Sequence, residues 1–124
     1  MSTEPTTMHI GELAERTGLS LRTLRHYDAV GLVTASARTE GGFRLYTQDD
    51  YDRLMLIRRM KPLGFSLEEM AELLRVIDTM GDSPDDDTRA ILDGFITDAG
   101  ERRAKLQQQL AMADEFVALL EARR

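Results

Sequence analysis

Between Ser20 and Asp28 the chain reads Ser-Leu-Arg-Thr-Leu-Arg-His-Tyr-Asp. Placed on a helix, Leu21 and Leu24 turn inward. Arg22, Thr23, Arg25, His26 and Tyr27 then offer hydrogen-bond donors to base edges and phosphates. A guanidinium is planar and presents paired N–H groups, which suit a phosphate or the O6/N7 edge of guanine. The chemistry is recognition of an anionic, base-bearing polymer. An ordinary surface helix can carry the same residues, so the neighbouring elements decide between the two readings.

Bond-making chemistry finds little support. The chain has no cysteine, which removes disulfides, thiolate metal ligands and cysteine nucleophiles together. His9 and His26 stand far apart with no third ligand beside them. Asp85-Asp86-Asp87 lacks the loop spacing and terminal glutamate of a calcium hand, and three acids at a helix start complement the helix dipole instead. No nucleophile–base pair and no phosphate-cradling loop stands out; Glu40-Gly41-Gly42 is a turn. An enzyme, a metal site and a cofactor are therefore not expected.

Several short elements position the basic run. Ile10, Leu13 and Ala14 have helical spacing up to Arg16, and Gly18 suits the left-handed position past a helix end. Ser20 is an N-cap for a second helix that runs to about Ala29. Two short helices joined by such a turn form a helix-turn-helix. Residues 32–46 lack a helical period. Leu32-Val33 and Phe43, Leu45 and Tyr46 are expected to form a hairpin, or wing, around the two glycines at 41 and 42. Thr47 caps a third helix with Leu54, Ile57 and Met60 inward, closed by Pro62 and Gly64. Ser66 and Glu69 form a capping box for a fourth helix with Met70, Leu73, Leu74 and Ile77 on its core face. Ser83-Pro84 is expected to open the fifth.

The fifth helix has a heptad period. Leu92, Ile96, Ala99, Arg103, Leu106, Leu110, Ala113, Val117 and Leu120 follow alternating steps of four and three, and only Arg103 is polar. A thin apolar stripe on a long helix needs a second helix, and another copy of the chain is the simplest source.

Charge is segregated along these elements. The chain of 124 residues carries 16 Lys+Arg against 22 Asp+Glu, for a formal net charge of −6. Residues 16–61 nevertheless hold nine basic residues and five acids, whereas residues 81–124 hold six and ten. Binding to DNA depends on where Lys and Arg face phosphate, not on the overall balance.

With these motifs in place, the chain resembles the MerR family of bacterial transcription regulators. The resemblance rests on three stretches in order: His9 to Val33, the Arg-Leu-Tyr that closes the wing, and Thr47 to Leu74 with its Leu-Gly-Phe-Ser-Leu-Glu-Glu run. It covers about residues 8–78 and implies a mainly α-helical winged helix-turn-helix followed by a long dimerisation helix in an antiparallel coiled coil. It further implies a homodimer on a two-fold promoter site in double-stranded DNA. The protein would distort an over-long promoter spacer and so act on RNA polymerase indirectly. Carried over by position, Arg25 and Tyr27 match recognition-helix contacts, Arg44 and Tyr46 match the wing's phosphate contacts, and Lys61 matches a phosphate contact at the end of the third helix. Arg22 and Thr23 join them. His26 stands where many relatives have tyrosine. Arg16 and Arg38 are added on charge and location.

The domain expectation is a disordered 1–7, a winged helix-turn-helix over 8–80, a linker at 81–84 and a coiled-coil helix over 85–124. Family members that sense metals or oxidants use cysteines, which this chain lacks, and no residues are left for a large ligand-binding domain, so the effector stays unknown. The longest apolar run, Phe116 to Leu120, is far short of a membrane span, and residues 1–7 do not resemble a signal peptide. A cytoplasmic, membrane-free protein is expected. A rival is an architectural winged-helix protein of the excisionase type, against which the long helix argues.

Overall fold

Capping and turn residues divide the chain in the computed structural model, which describes residues 7–81 and 85–124. The order is β1 (Thr7–Met8), α1 (Ile10–Thr17), α2 (Leu21–Ala29), β2 (Ala37–Arg38), β3 (Arg44–Thr47), α3 (Gln48–Met60), a 3-10 turn (Lys61–Leu63), α4 (Leu67–Met80) and α5 (Asp86–Glu121). Two compact units share these elements, one through Leu74 and one from Arg75 onward.

In the first unit, α1 stops because Gly18 takes φ 73° and its amide returns to the Ala14 carbonyl. A side chain at Gly18 would pay the left-handed strain and would also meet the Arg58 guanidinium at 3.5 Å. Thr17 is fully buried there, and its hydroxyl donates to the Leu13 carbonyl at 2.8 Å. Two residues on, the Ser20 hydroxyl accepts from the Thr23 amide and starts α2. Thr47 and Asp50 form a reciprocal capping box at α3, and Ser66 and Glu69 form one at α4.

The core is built from one face each of α1, α2, α3 and α4. Leu13, Leu24, Leu54 and Ile57 are completely or almost completely buried, and Met60, Phe65, Met70, Leu73 and Leu74 close around them. This matches the apolar spacing in α1 and α3. Leu21 departs from expectation: it is 40% exposed and is not a core residue of α2. In α4, Val76 is buried while Ile77 is only half-buried.

The wing is a three-stranded antiparallel sheet in the order β1-β3-β2. Ala37 pairs with Leu45 and Arg38 with Arg44, across a turn in which Gly42 takes φ 85°. Two expectations are corrected here. Leu32 and Val33 are not strand: both amides donate to the Tyr27 carbonyl, at 2.8 and 3.3 Å, so the chain folds back on the end of α2 instead of entering the sheet. Thr7 is not disordered. It pairs with Thr47, and Met8 with Tyr46, adding a strand that the sequence did not announce. Residues 1–6 lie outside the described residues.

In the second unit, α5 runs for 36 residues, about 54 Å at 1.5 Å per residue. Its N-cap is Asp85, whose carboxylate accepts from the Thr88 amide at 2.7 Å. The expected cap, Ser83, lies outside the described residues. No residue of α5 is buried; Ile96, Leu110, Val117 and Leu120 of the heptad stripe all remain more than half exposed.

Candidate nucleic-acid interface

Two elements carry the basic side chains, and a salt bridge ties them together. On α2, Leu24 and Tyr27 face the core, which turns Arg22, Arg25 and His26 to solvent. Thr23 is half-buried and its hydroxyl is bonded to that of Ser20 at 2.9 Å. On β3, Arg44 and Tyr46 lie two residues apart and so share a face of the strand; Tyr46 is buried and Arg44 is exposed. Asp28, in the last turn of α2, accepts from the Arg44 guanidinium. Its carboxylate also accepts from the Tyr46 hydroxyl at 3.3 Å. Between these elements lies a cleft of about 420 Å³ lined by His9, Ile10, Arg25, Asp28, Phe43, Arg44 and Tyr46.

Arg22, Arg25 and Lys61 are exposed, and no hydrogen bond or ion pair among the described residues holds their side chains. They are available to a ligand. Arg38, on the outer strand of the wing, is exposed but donates to the Gly42 carbonyl at 3.0 Å, a contact that stiffens the turn. Arg16 stacks over the Tyr51 ring at 5.0 Å, a cation–π arrangement that orients an otherwise exposed charge. Lys61 caps the C-terminus of α3 beside a second hollow lined by Met55, Arg58, Arg59 and Pro62. Arg58 is committed there to the Thr17 carbonyl at 2.7 Å and so ties α3 to the end of α1.

The two tyrosines differ most from expectation. The family resemblance implies DNA contacts at Tyr27 and Tyr46, yet they are only 4% and 2% exposed. Their rings are core. Burial pushes both phenols above their ordinary pKa, and for Tyr46 the nearby Asp28 carboxylate adds to the rise. A protonated Tyr46 can donate to Asp28, as observed. Asp28 is the residue that sequence reasoning left out. It lies inside the Arg-His-Tyr-Asp run, but an acid in a basic patch gives no local sign of its role.

Charge, exposure and geometry thus define a winged helix-turn-helix whose second helix and wing present arginines on a shared surface. Within that class, the chain belongs to the MerR HTH family. The family model "MerR HTH family regulatory protein" matches residues 8–76, and "MerR, DNA binding" matches residues 51–123. The mercuric resistance operon regulatory protein of Bacillus cereus is 48% identical over 69 residues, 56% of this chain and 52% of that protein. CueR of Salmonella typhimurium, an HTH-type transcriptional regulator, is 32% identical over 115 residues, 93% of this chain and 80% of that protein. Among solved structures, HiNmlR, described as a MerR family regulator lacking the sensor domain and bound to promoter DNA, is similar with a TM-score of 0.73 at 26% identity. That match covers 94% of this chain and 91% of HiNmlR. The chain spans about half or less of the length of the first curated relatives it matches. The mercuric resistance protein, CueR and HiNmlR are each described as regulators. Among the described residues no group of His, Asp and Glu is arranged to hold a metal, and no helix is long and apolar enough to cross a membrane.

Proposed function

We propose that the protein is a sequence-specific DNA-binding transcription regulator that acts in the cytoplasm as a homodimer on a two-fold promoter site. Arg22, Thr23, Arg25 and His26 of α2 enter the major groove, while Arg44 of the wing and Lys61 at the end of α3 engage phosphates. Arg16 and Arg38 add charge at the margins. Tyr27 and Tyr46 support this surface from beneath, and the Tyr46 hydroxyl reaches Asp28 at its edge. One observation carries the reading: the exposed Arg25 of α2 lines one cleft with Arg44 of the wing, on a chain whose overall charge is −6. The match to HiNmlR, which was solved on promoter DNA, supports it.

Dimerisation follows from α5. Its heptad stripe exposes Ile96, Leu106, Leu110, Val117 and Leu120, with Leu92, Ala99 and Ala113 in the same register. Exposed apolar area of this kind loses water favourably only against another surface. A second α5, antiparallel, supplies it. Two half-sites held by one dimer bend and retwist a promoter spacer, which changes how RNA polymerase meets the promoter elements without direct contact.

Selection of duplexes from a random pool, followed by footprinting and sedimentation, tests the reading. The expected result is a two-fold site protected by a dimer. Each phosphate contact removed, by Arg44→Ala or Lys61→Ala, should reduce the magnitude of the negative slope of log K against log salt by about 0.9. A monomer without sequence preference would overturn the proposal.

A further inference from the structure

Asp28 stands at the junction of recognition helix and wing, and its geometry is unusual for an acid in a DNA-binding surface. A carboxylate there repels phosphate, so on charge alone the site would bind DNA better without it. The side chain is only 10% exposed, while the Arg44 side chain paired with it is 55% exposed. The pair is therefore anchored on the Asp28 side and open on the Arg44 side. The same carboxylate oxygen accepts from Arg44 and from the Tyr46 hydroxyl, two residues apart on β3. One acid from α2 thus grips the strand twice. The partners are 16 and 18 positions away in sequence. Between them the chain is tied to the rest of the unit by the Leu32 and Val33 amides on the Tyr27 carbonyl and by Ser36, which is bonded to Asp50 on α3.

From this we infer that Asp28 is a positioning residue: it fixes the Arg44 guanidinium and the wing strand relative to α2, so that helix and wing meet a half-site together. The inference rests on the proposed DNA-binding surface and deepens it. A long arginine with no partner on the wing would lose several rotors of freedom on meeting phosphate. Held by Asp28, it loses them on folding instead. The guanidinium has five N–H donors, so an arginine bonded to Asp28 through one edge keeps other donors for a phosphate. Repulsion between Asp28 and phosphate is offset because the same charge orders Arg44. The cost falls on every sequence alike, whereas the gain in alignment falls on duplexes that also satisfy α2. Asp28 therefore adds discrimination more than raw affinity.

The test uses the full chain, its selected duplex and a random duplex of equal length, with four variants: Asp28→Ala, Asp28→Asn, Arg44→Ala and the Asp28→Ala/Arg44→Ala double. Asp28→Ala should weaken binding to the selected duplex by roughly tenfold, the scale of a lost charge-assisted hydrogen bond, with a smaller loss on the random duplex. Asp28→Asn, which keeps an acceptor for Arg44 and Tyr46, should recover part of that loss. In the Arg44→Ala background, Asp28→Ala should cost little more, because its effect runs through Arg44. Thermal unfolding identifies any variant that has lost the fold, and Asp28→Asn, close to isosteric, then carries the comparison. If Arg44→Ala weakens binding while Asp28→Ala and Asp28→Asn leave the preference for the selected duplex unchanged, the inference is overturned and the DNA-binding surface stands. Full additivity in the double variant would also overturn it, by showing that Asp28 acts independently of Arg44. If Arg44→Ala leaves binding to both duplexes unchanged, the wing is not at the DNA, and both readings fail.

Discussion

At the scale of single residues, exposed and buried polar groups have different tasks. Arg25 is exposed on α2 and open to a base edge. Arg25→Ala should weaken binding to the selected duplex by about 1–3 kcal/mol and spare a scrambled duplex. Titration of both checks this, and equal losses would reassign Arg25 to phosphate. Asp50 is the contrasting case. It is 1% exposed, and it accepts from the Ser36 amide and hydroxyl at 3.1 and 2.7 Å and from the Thr47 amide at 2.9 Å. Its role is internal: it satisfies the cap of α3 and pins the segment that leads into the wing. Asp50→Ala would strand these donors and should destabilise the protein by about 1–3 kcal/mol in a denaturant titration. A variant with an unchanged midpoint would show that water replaces the carboxylate there.

At the scale of elements, each helix is defined by its ends. Asp85 caps α5, and the Thr88 hydroxyl and amide hold its carboxyl below the usual aspartate range. A folded pKa below the unfolded one means that the cap contributes fully above the unfolded value. The contribution is lost as the pH falls through the lowered folded value. Acid should therefore fray the first turn of α5, and Asp85→Ala should do so at neutral pH, whereas Asp85→Asn should keep the cap without the acid dependence. Hydrogen exchange at residues 86–89 reads all three. Protection that is the same in Asp85→Ala as in the parent would show that the helix start does not depend on this cap. The wing shows the same dependence on local conformation: Gly42 provides the positive φ that lets Ala37–Arg38 return against Arg44–Leu45.

At the scale of the whole molecule, the interest lies in what α5 leaves exposed. Leu106 is the midpoint of the stripe from Leu92 to Leu120 and is 42% exposed. If two helices pair antiparallel along that stripe, the two-fold axis passes near Leu106 and each copy meets its equivalent. Leu106→Glu would then place two like charges in a dry seam and should raise the dimer dissociation constant roughly a hundredfold or more. The helix-turn-helix and wing have their own core and should stay folded. Operator affinity should nonetheless collapse, because half-sites joined through a dimer gain an effective concentration that free monomers lack. Sedimentation with operator titration reads both effects. A variant that stays dimeric and binds normally would place the seam elsewhere or offset the pairing.

Much of this architecture was legible without coordinates, because it depends on interactions that span three or four residues. Ser20, Thr47 and Ser66 act as caps, Gly18 ends α1, and Leu54, Ile57 and Met60 form one face of α3. The family could be read for the same reason, since its marks are short runs at fixed spacing. What tertiary structure decided involves residues that meet across long separations. Thr7–Met8 becomes a strand only because β3 offers an edge to it. Leu32 and Val33 lose their strand because the Tyr27 carbonyl is nearer than any ladder. Tyr27 and Tyr46 could serve a surface or a core equally well by composition. Packing chose the core for both rings, and the Tyr46 hydroxyl finds a partner there in Asp28. Asp28 and Arg44 are 16 positions apart, and Thr17 and Arg58 are 41 apart. Nothing within a helical turn of either residue records such a pairing, because the attraction exists only after the fold has brought donor and acceptor together.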